Sequence, residues 1–303
     1  MANEISWELY RSFLGVLQEG SLSGAARSLG IAQPTVGRHI SELEKSLGLP
    51  LFTRSQTGLL PTEAALALRS HAEAMNSTAA SLRRAAESHG EGVKGTVRIS
   101  ASEVIGAEVL PPILAKLRQK HPQLKVEVVL TNRVQDLLRR EADIAVRMTN
   151  PKQDVLIARR VADVLLGLHA HKDYLAQQGT PKIPTDLAHH SLIGFDEETP
   201  FIRAARRVLP AWTRESFSLR TDSDLAQLAM IRAGCGIGVC QVALAKRDPS
   251  LVRVLARHLD FKLETWVTMH EDLRGSPRCK VTFDALVKAL CEGYGLSSSR
   301  RVQ

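Results

Sequence analysis

The sequence predicts an α/β protein preceded by a small helical domain that carries a winged helix-turn-helix. Three observations lead there. Between Ala25 and Leu47 two short amphipathic segments are separated by Gly30. After Val93, apolar runs of strand length alternate with single helical stretches. Between these regions stands one long periodic segment beginning at Thr62. Strands separated by single helices imply parallel α/β architecture, and 303 residues allow two or three domains with a substantial core.

The first helix has Leu9, Phe13, Val16 and Leu17 as its inner stripe and ends at Glu19-Gly20, with Ser21 or Ser23 able to cap the next. Ala25 and Ala26 are small enough for one short helix to cross another closely. Gly30 permits the positive φ that ends that helix, and Gln33-Pro34 restarts the chain as a second one. In this second helix Val36, Ile40, Leu43 and Leu47 form one apolar stripe. Its outward face then carries Gln33, Thr35, Arg38, His39 and Glu42. A helix with its first turn and such donors exposed has the shape that enters a major groove. Leu51-Phe52-Thr53-Arg54, the turn Ser55 to Gly58 and Leu59-Leu60-Pro61 read as a hairpin, or wing. Without the wing, the same residues suit an ordinary helical hairpin of an all-α domain.

Thr62 is a good N-cap for a helix that can run to His89, before Gly90-Glu91-Gly92 breaks it. Ala65, Leu68, Ala72, Met75, Ala79, Leu82 and Ala86 recur at steps of three and four. Such a heptad seam on a rod of about 42 Å calls for a partner helix. The seam therefore predicts a dimerisation helix with Leu68, Ala72, Met75, Ala79 and Leu82 at the contact. The alternative is packing of the rod against the chain's own effector domain.

In the α/β region, Gly95 to Ser100 reads as a strand. Val104 to Gln119 contains a helix with Leu110, Ile113, Leu114 and Leu117 inward, its first turn adjusted by Pro111-Pro112. Leu124 to Leu130 is a strand, Val134 to Arg140 a helix and Asp143 to Arg147 a strand. Ligands in such sheets sit at the carboxyl ends of strands near helix N-termini. That selects Ser100-Ala101-Ser102 and Thr131-Asn132.

The run Ala25 to Ala65 resembles the winged helix-turn-helix of the LysR-type transcriptional regulators. The likeness rests on Ala25-Ala26 before Leu29, Gln33-Pro34, Arg38, Leu43-Glu44, Leu51 to Arg54 and Pro61-Thr62-Glu63-Ala64, and it continues to nearly the end of the chain. The family usually has Ser where this chain has Gly37, and Gly where it has Ala65. The resemblance implies a DNA-binding domain over 1–60, a linker helix over 61–90 and an effector-binding domain over 91–303 similar to periplasmic binding proteins. Subdomain I would be 91–162 plus 268–303 and subdomain II 163–267, the chain leaving the first near Val161. Subdomain II would hold Leu165 to His169, Leu192 to Phe195 and a helix from Ser223 to Ala233. The chain returns at Trp266 to Met269 and closes with a helix from Pro277 to Leu290, leaving a polar tail from Ser297 to Gln303. It places Gln33, Pro34, Thr35, Arg38 and His39 at the major groove of double-stranded DNA, with Arg54 reaching phosphate or minor groove. Arg38 on guanine would supply about 1 to 3 kcal/mol of discrimination. Ser100, Ser102, Thr131, Phe195 and Thr221 would hold a small, anionic effector, unless the hydroxyls merely cap helices. A homodimer assembling into a tetramer, no cofactor and no enzymatic activity are the remaining implications.

Composition alone does not point to the DNA-binding segment. The chain carries a formal charge of +8, yet residues 1–60 hold five basic and five acidic side chains, so the case depends on placed donors. Four cysteines without metal-type clustering suit a reducing cytoplasm, and no apolar signal or spanning segment is seen. Gly234-Cys235-Gly236-Ile237-Gly238 follows a helix, contrary to a dinucleotide loop, and reads as a structural turn. Cys235 and Cys240 flank it and offer a redox switch only if exposed with lowered pKa. His169, His171, His189 and His190 lack a completing ligand set for metal and read as surface or capping residues. The acidic pairs Glu141 with Asp143 and Glu197 with Glu198 have no nucleophile beside them. The competing reading is a small-molecule-binding protein or enzyme whose N-terminal helices serve assembly only.

Overall fold

A computed structural model of the chain describes residues 5–55, 58–87, 92–132, 141–149, 151, 156–198, 202–203, 206, 209–210, 212–258 and 261–294. The chain divides into two units, one holding residues 1–86 and the other the bulk of 87–303. The helix expected over 134–140, the tail over 297–303 and the last residues of the long helix lie outside the described residues.

In the first unit, helix α1 (Trp7–Glu19) is capped by Ser6 and stopped by Gly20 at φ +66°. Helix α2 (Leu22–Leu29) starts where Ser21 Oγ accepts the Gly24 N–H at 3.1 Å, and it ends at Gly30 with φ +69°. Helix α3 (Gln33–Leu47) begins with Pro34 in its first turn and no side-chain cap. Phe13, Val16, Ala25, Val36, Leu43 and Leu51 are buried together. Truncating one of the large ones would cost about 2–5 kcal/mol. Gly15 sets the α1–α2 crossing, since a Cβ there would lie 3.0 Å from Leu29 Cδ1 and 3.3 Å from Ala25 Cβ.

The wing is an antiparallel pair, β1 (Phe52–Ser55) with β2 (Gly58–Pro61). Glu44 Oε1 accepts the N–H groups of Leu51 at 2.7 Å and Phe52 at 3.2 Å, so the carboxylate at the end of α3 sets where the wing begins. Leu59 N–H donates to Gly20 O at 2.8 Å, tying the other strand to the α1–α2 turn. Helix α4 (Glu63–Glu87) follows, with Thr62 Oγ1 accepting the Ala65 N–H at 3.2 Å and donating to Pro50 O at 2.8 Å. Its seam is divided, which corrects the expectation of one uniform contact edge. Ala65 and Ala72 are buried in the unit's own core with Leu68 packed beside them. Further along, Met75 is 42% exposed and Leu82 73% exposed. Ala72 is the residue most affected: the period that fits a coiled coil also fits packing into the unit's own core, and its methyl is buried there.

In the second unit one sheet of seven strands holds two cores. Strand β3 (Gly95–Ala101) runs parallel to both β4 (Leu124–Leu130) and β5 (Ile144–Arg147). Between β3 and β4 a π-turn (Ile105–Val109) opens into α5 (Leu110–Lys120). The prolines explain the turn. Pro111 and Pro112 supply no N–H, the ladder slips so that Leu110 N–H reaches Ile105 O, and the Glu108 carbonyl left over accepts from Arg247 Nη1 at 3.3 Å.

The chain passes from the first lobe to the second along one continuous strand, β6 (Leu156–His171), whose Val161, Ala162, Val164 and Leu166 lie in the first lobe's core and whose Leu168 and Ala170 lie in the second's. The second lobe then adds α6 (Lys172–Gln178), the short parallel pair β7 (Ile193–Gly194) and β8 (Leu219–Arg220), α7 (Asp224–Arg232), β9 (Gly238–Gln241), α8 (Val242–Ala245) and β10 (Leu251–Val254). Strand β11 (Phe261–His270) pairs antiparallel with β6 from Phe261 opposite Leu166 to His270 opposite Leu156, with a register shift between Thr265 and Trp266. The sheet order is β10-β6-β11-β5-β3-β4, with β9 also on β6. Helix α9 (Pro277–Tyr294) buries Phe283, Leu286 and Leu290 in the first lobe's core beside Ile99, Leu110 and Ile144. The second lobe has its own core of Leu168, Leu187, Leu192, Trp212 and Phe217.

Candidate nucleic-acid interface and ligand cleft

On α3, Gln33, Pro34 and Arg38 are exposed and Thr35 is half-buried, so the helix presents its first turn and one guanidinium outward. Arg54 is exposed on β1 of the wing. Gln33 Oε1 accepts from Ser23 Oγ at 3.0 Å, which orients its amide from the preceding helix. His39 departs from expectation. Its Nδ1 shares a 2.7 Å hydrogen bond with the buried Ser12 hydroxyl of α1. One residue before buried Ile40, His39 sits on the flank of the inward stripe and holds α3 to α1 rather than facing outward. Gly37 has room, since a Cβ there would meet only Leu22 Cδ1 at 3.6 Å.

In the second unit the predicted effector residues have different occupations. Ser100 is fully buried and its hydroxyl accepts from Arg147 Nη2. Thr131 N–H donates to Ala101 O at 2.9 Å, which seats Thr131 beside the end of β3. Thr221 Oγ1 accepts the Ser223 N–H at 3.3 Å, a local turn bond, while the cap of α7 is Ser223 and not Thr221. Ser102 Oγ is buried and has no hydrogen-bond partner among the described residues. Phe195 is half-buried just after β7.

Facing residues from the two lobes meet at the start of α7. Glu103 Oε2 accepts from Ser223 Oγ at 2.8 Å and from Leu225 N–H at 3.3 Å. Asn132 Nδ2 donates to Asp224 Oδ2 at 2.9 Å. Burial, then the neighbouring Glu103 charge, push the Asp224 carboxyl up to about 6, with the Asn132 bond pulling the other way. Further along α7, Arg232 holds Glu108 with two bonds of 2.7 and 3.0 Å, and the Glu108 carboxyl is lowered chiefly by that contact. The N-terminus of α7 is thus filled by a protein carboxylate. An anion entering between the lobes must find its countercharge elsewhere.

Sequence reasoning passed over one buried cation in the first lobe. Arg147, at the end of β5, is 9% exposed and has no carboxylate partner among the described residues; burial alone lowers it to about 10. The only local signal was a basic residue closing an apolar strand. A separate groove of about 670 Å³ lies between α5 and α9, lined by Ile113, Lys116, Lys120, Arg247, Lys288 and Tyr294, and contains none of the predicted residues.

The remaining motifs are structural. Gly234 takes φ +76° after α7, and a Cβ on Gly236 would overlap Ser191 O. Burial pushes the Cys240 thiol up to about 12, the reverse of a reactive cysteine. His169, expected at the surface, is instead buried, with Nδ1 donating to Gly167 O at 2.9 Å, because β6 is a central strand there. His171 caps α6. Among the described residues no group of three or more His, Cys, Asp or Glu could hold a metal ion, and no helix is long and apolar enough to cross a membrane.

A winged helix-turn-helix with an outward-facing first turn, on the same chain as a two-lobed α/β domain, defines a DNA-binding protein with a small-molecule module. Residues 7–66 match the model of the bacterial regulatory helix-turn-helix protein, lysR family, and residues 90–291 match that of the LysR substrate binding domain. The chain belongs to the LysR family of bacterial transcriptional regulators. It is 28% identical over 288 residues to the HTH-type transcriptional regulator CrgA of Neisseria meningitidis serogroup C (strain 8013), covering 92% of this chain and 95% of that one. The solved structure of CrgA from Neisseria meningitidis is similar at a TM-score of 0.58 and 25% identity, covering 93% of this chain and 98% of that one. The full-length structure of the Vibrio cholerae virulence activator AphB shares the fold at a TM-score of 0.61 and 22% identity, covering 93% and 99%. The fold class read from the sequence and its LysR resemblance are both borne out.

Proposed function

We propose that this regulator reads duplex DNA through Gln33, Pro34, Thr35 and Arg38, with Arg54 of the wing on the phosphate backbone or minor groove, and that an anionic metabolite between the lobes sets its DNA affinity. The observation that carries the reading is the exposed Arg38 on the open face of α3, beside a first turn whose N–H groups have no side-chain cap. Arginine forks read guanine edges, and uncapped helix starts take phosphate. Two copies pair along the distal half of α4, where Met75 and Leu82 are exposed, and dimers join as tetramers in the cytoplasm without enzymatic activity. Selection of bound duplexes from a random pool, with wild type and Arg38→Ala, tests the DNA reading. Wild type should recover a dyad-symmetric sequence that survives moderate salt, and the variant should lose preference at one position in each half. Binding without sequence preference that vanishes with salt would favour the assembly-only alternative.

A further inference from the structure

The row of residues at the end of the first lobe's sheet carries a more specific reading of the ligand. Ser102 follows β3, Arg147 ends β5, and Trp266 on β11 lies directly opposite Arg147 in the antiparallel register. Ser102 N–H donates to Val146 O, which continues the β3–β5 ladder one step and sets Ser102 level with Arg147. Residues level across a sheet project to the same face, with directly opposed Cβ atoms of an antiparallel pair about 4.5–5.5 Å apart. The Arg147 guanidinium reaches Ser100 Oγ, two residues before Ser102, so that face is the one bearing both serines.

Among the described residues, two donors on this row have no partner and one buried charge has no counterion. Trp266 is 7% exposed, yet its indole Nε1–H has no partner, and Ser102 Oγ has none either. Arg147 bonds to a hydroxyl and to the Val146 carbonyl, but to no anion. The other arginine on the row, Arg160, opposite Trp266 on β6, is neutralised by Asp163 at 2.5 Å and Glu264 at 3.3 Å. Buried polar groups without partners are rare in folded proteins, and a buried charge without a counterion is costlier still.

We propose that Arg147, Trp266 and Ser102 form a carboxylate-binding subsite, with the guanidinium on the ligand's carboxylate and the indole N–H and serine hydroxyl completing its hydrogen bonds. The inference rests on the anionic-effector reading above and specifies its chemistry. A single uncompensated guanidinium matches a monoanionic head group, whereas a phosphate dianion would leave one negative charge buried. Glu103, next in sequence to Ser102, is held by Ser223 and Leu225 at the lobe junction with Asp224 beside it, and these two carboxylates disfavour a second anionic group there. The ligand is therefore a monocarboxylate whose remainder is uncharged.

The test is titration of the full-length protein with benzoate, propionate, malonate and benzamide, read by tryptophan fluorescence and by calorimetry. The chain has three tryptophans, and Trp7 and Trp212 lie in other parts of the fold. Benzoate or propionate should change the emission and bind more tightly than malonate, and benzamide should do neither. Trp266→Phe should abolish the emission change and weaken calorimetric affinity about 5-fold. Arg147→Gln should weaken it about 10- to 100-fold, as loss of a charge-assisted hydrogen bond does. Arg147→Lys should restore part of that loss. Carboxylate binding that Arg147→Gln and Trp266→Phe leave unchanged overturns the subsite and keeps the anionic effector. Binding of benzamide alone, or of no carboxylate in the millimolar range, overturns both.

Discussion

Replacing Asp224 with asparagine should make the second unit more stable at pH 7.5 and leave it unchanged near pH 4. The carboxyl stands at about 6 in the folded chain against its ordinary 3.8, raised by burial and by Glu103. The folded state therefore holds a proton that the unfolded chain has released. Its stabilising contribution is complete below pH 3.8 and is lost as pH rises through about 6. A shift of about two units corresponds to roughly 3 kcal/mol, and partial solvent screening of a half-buried group reduces this to about 1–2 kcal/mol. Asparagine keeps the acceptor for Asn132 and removes the charge. It also removes a favourable charge from the first turn of α7, about 0.3–1 kcal/mol in the opposite direction. The net gain at pH 7.5 is about 1 kcal/mol, or roughly 2–4 °C in Tm for a domain of this size. Thermal melts of wild type and variant between pH 4 and 8 read it directly. A difference in Tm that stays flat across pH 5 to 7, or that favours wild type at high pH, would refute the reasoning.

Three further outcomes follow from the geometry. Gly58→Ala should cost more than about 1 kcal/mol and weaken DNA binding, because φ is +135° there and the new Cβ would lie 2.6 Å from Gly20 O; melts and DNA titration check both. Glu44→Gln should loosen the wing, since the charge that gathers the Leu51 and Phe52 N–H groups is lost; amide exchange at those two positions should quicken while the α1 core stays protected. Iodoacetamide at neutral pH should leave Cys240 unmodified in the folded protein, its thiol being pushed up to about 12, and ready alkylation there by mass spectrometry would contradict its burial.

What could be read from the sequence was local in origin. Gly30, Pro34 and Thr62 announce themselves because a positive φ, a missing N–H and a capping hydroxyl act within a few residues. The α3 stripe of Val36, Ile40 and Leu43 was legible for the same reason, and all three are buried. What was missed depends on pairing across the chain. Gly15 looks like any helix glycine until Leu29 is brought against it. Glu44 reads as a surface charge until the wing returns beneath it. Arg147 and Trp266 are 119 positions apart and become neighbours only through the β5–β11 register. Position at a strand end and the family resemblance chose Ser100, and the resemblance chose Thr221; within the fold each hydroxyl already accepts one hydrogen bond. The α4 seam misled for a related reason: steps of three and four describe one face of a helix without saying whose core it meets.

The central claim is that two recognition helices, each led by Arg38, engage one dyad-symmetric site as a pair. Hydroxyl-radical footprinting of the selected duplex, with the mass of the same complex measured in solution, tests it most directly. Two protected half-sites related by a dyad and held by at least two chains are expected, both lost together when Leu82→Glu charges the exposed end of α4. A single protected half-site held by one chain would contradict it.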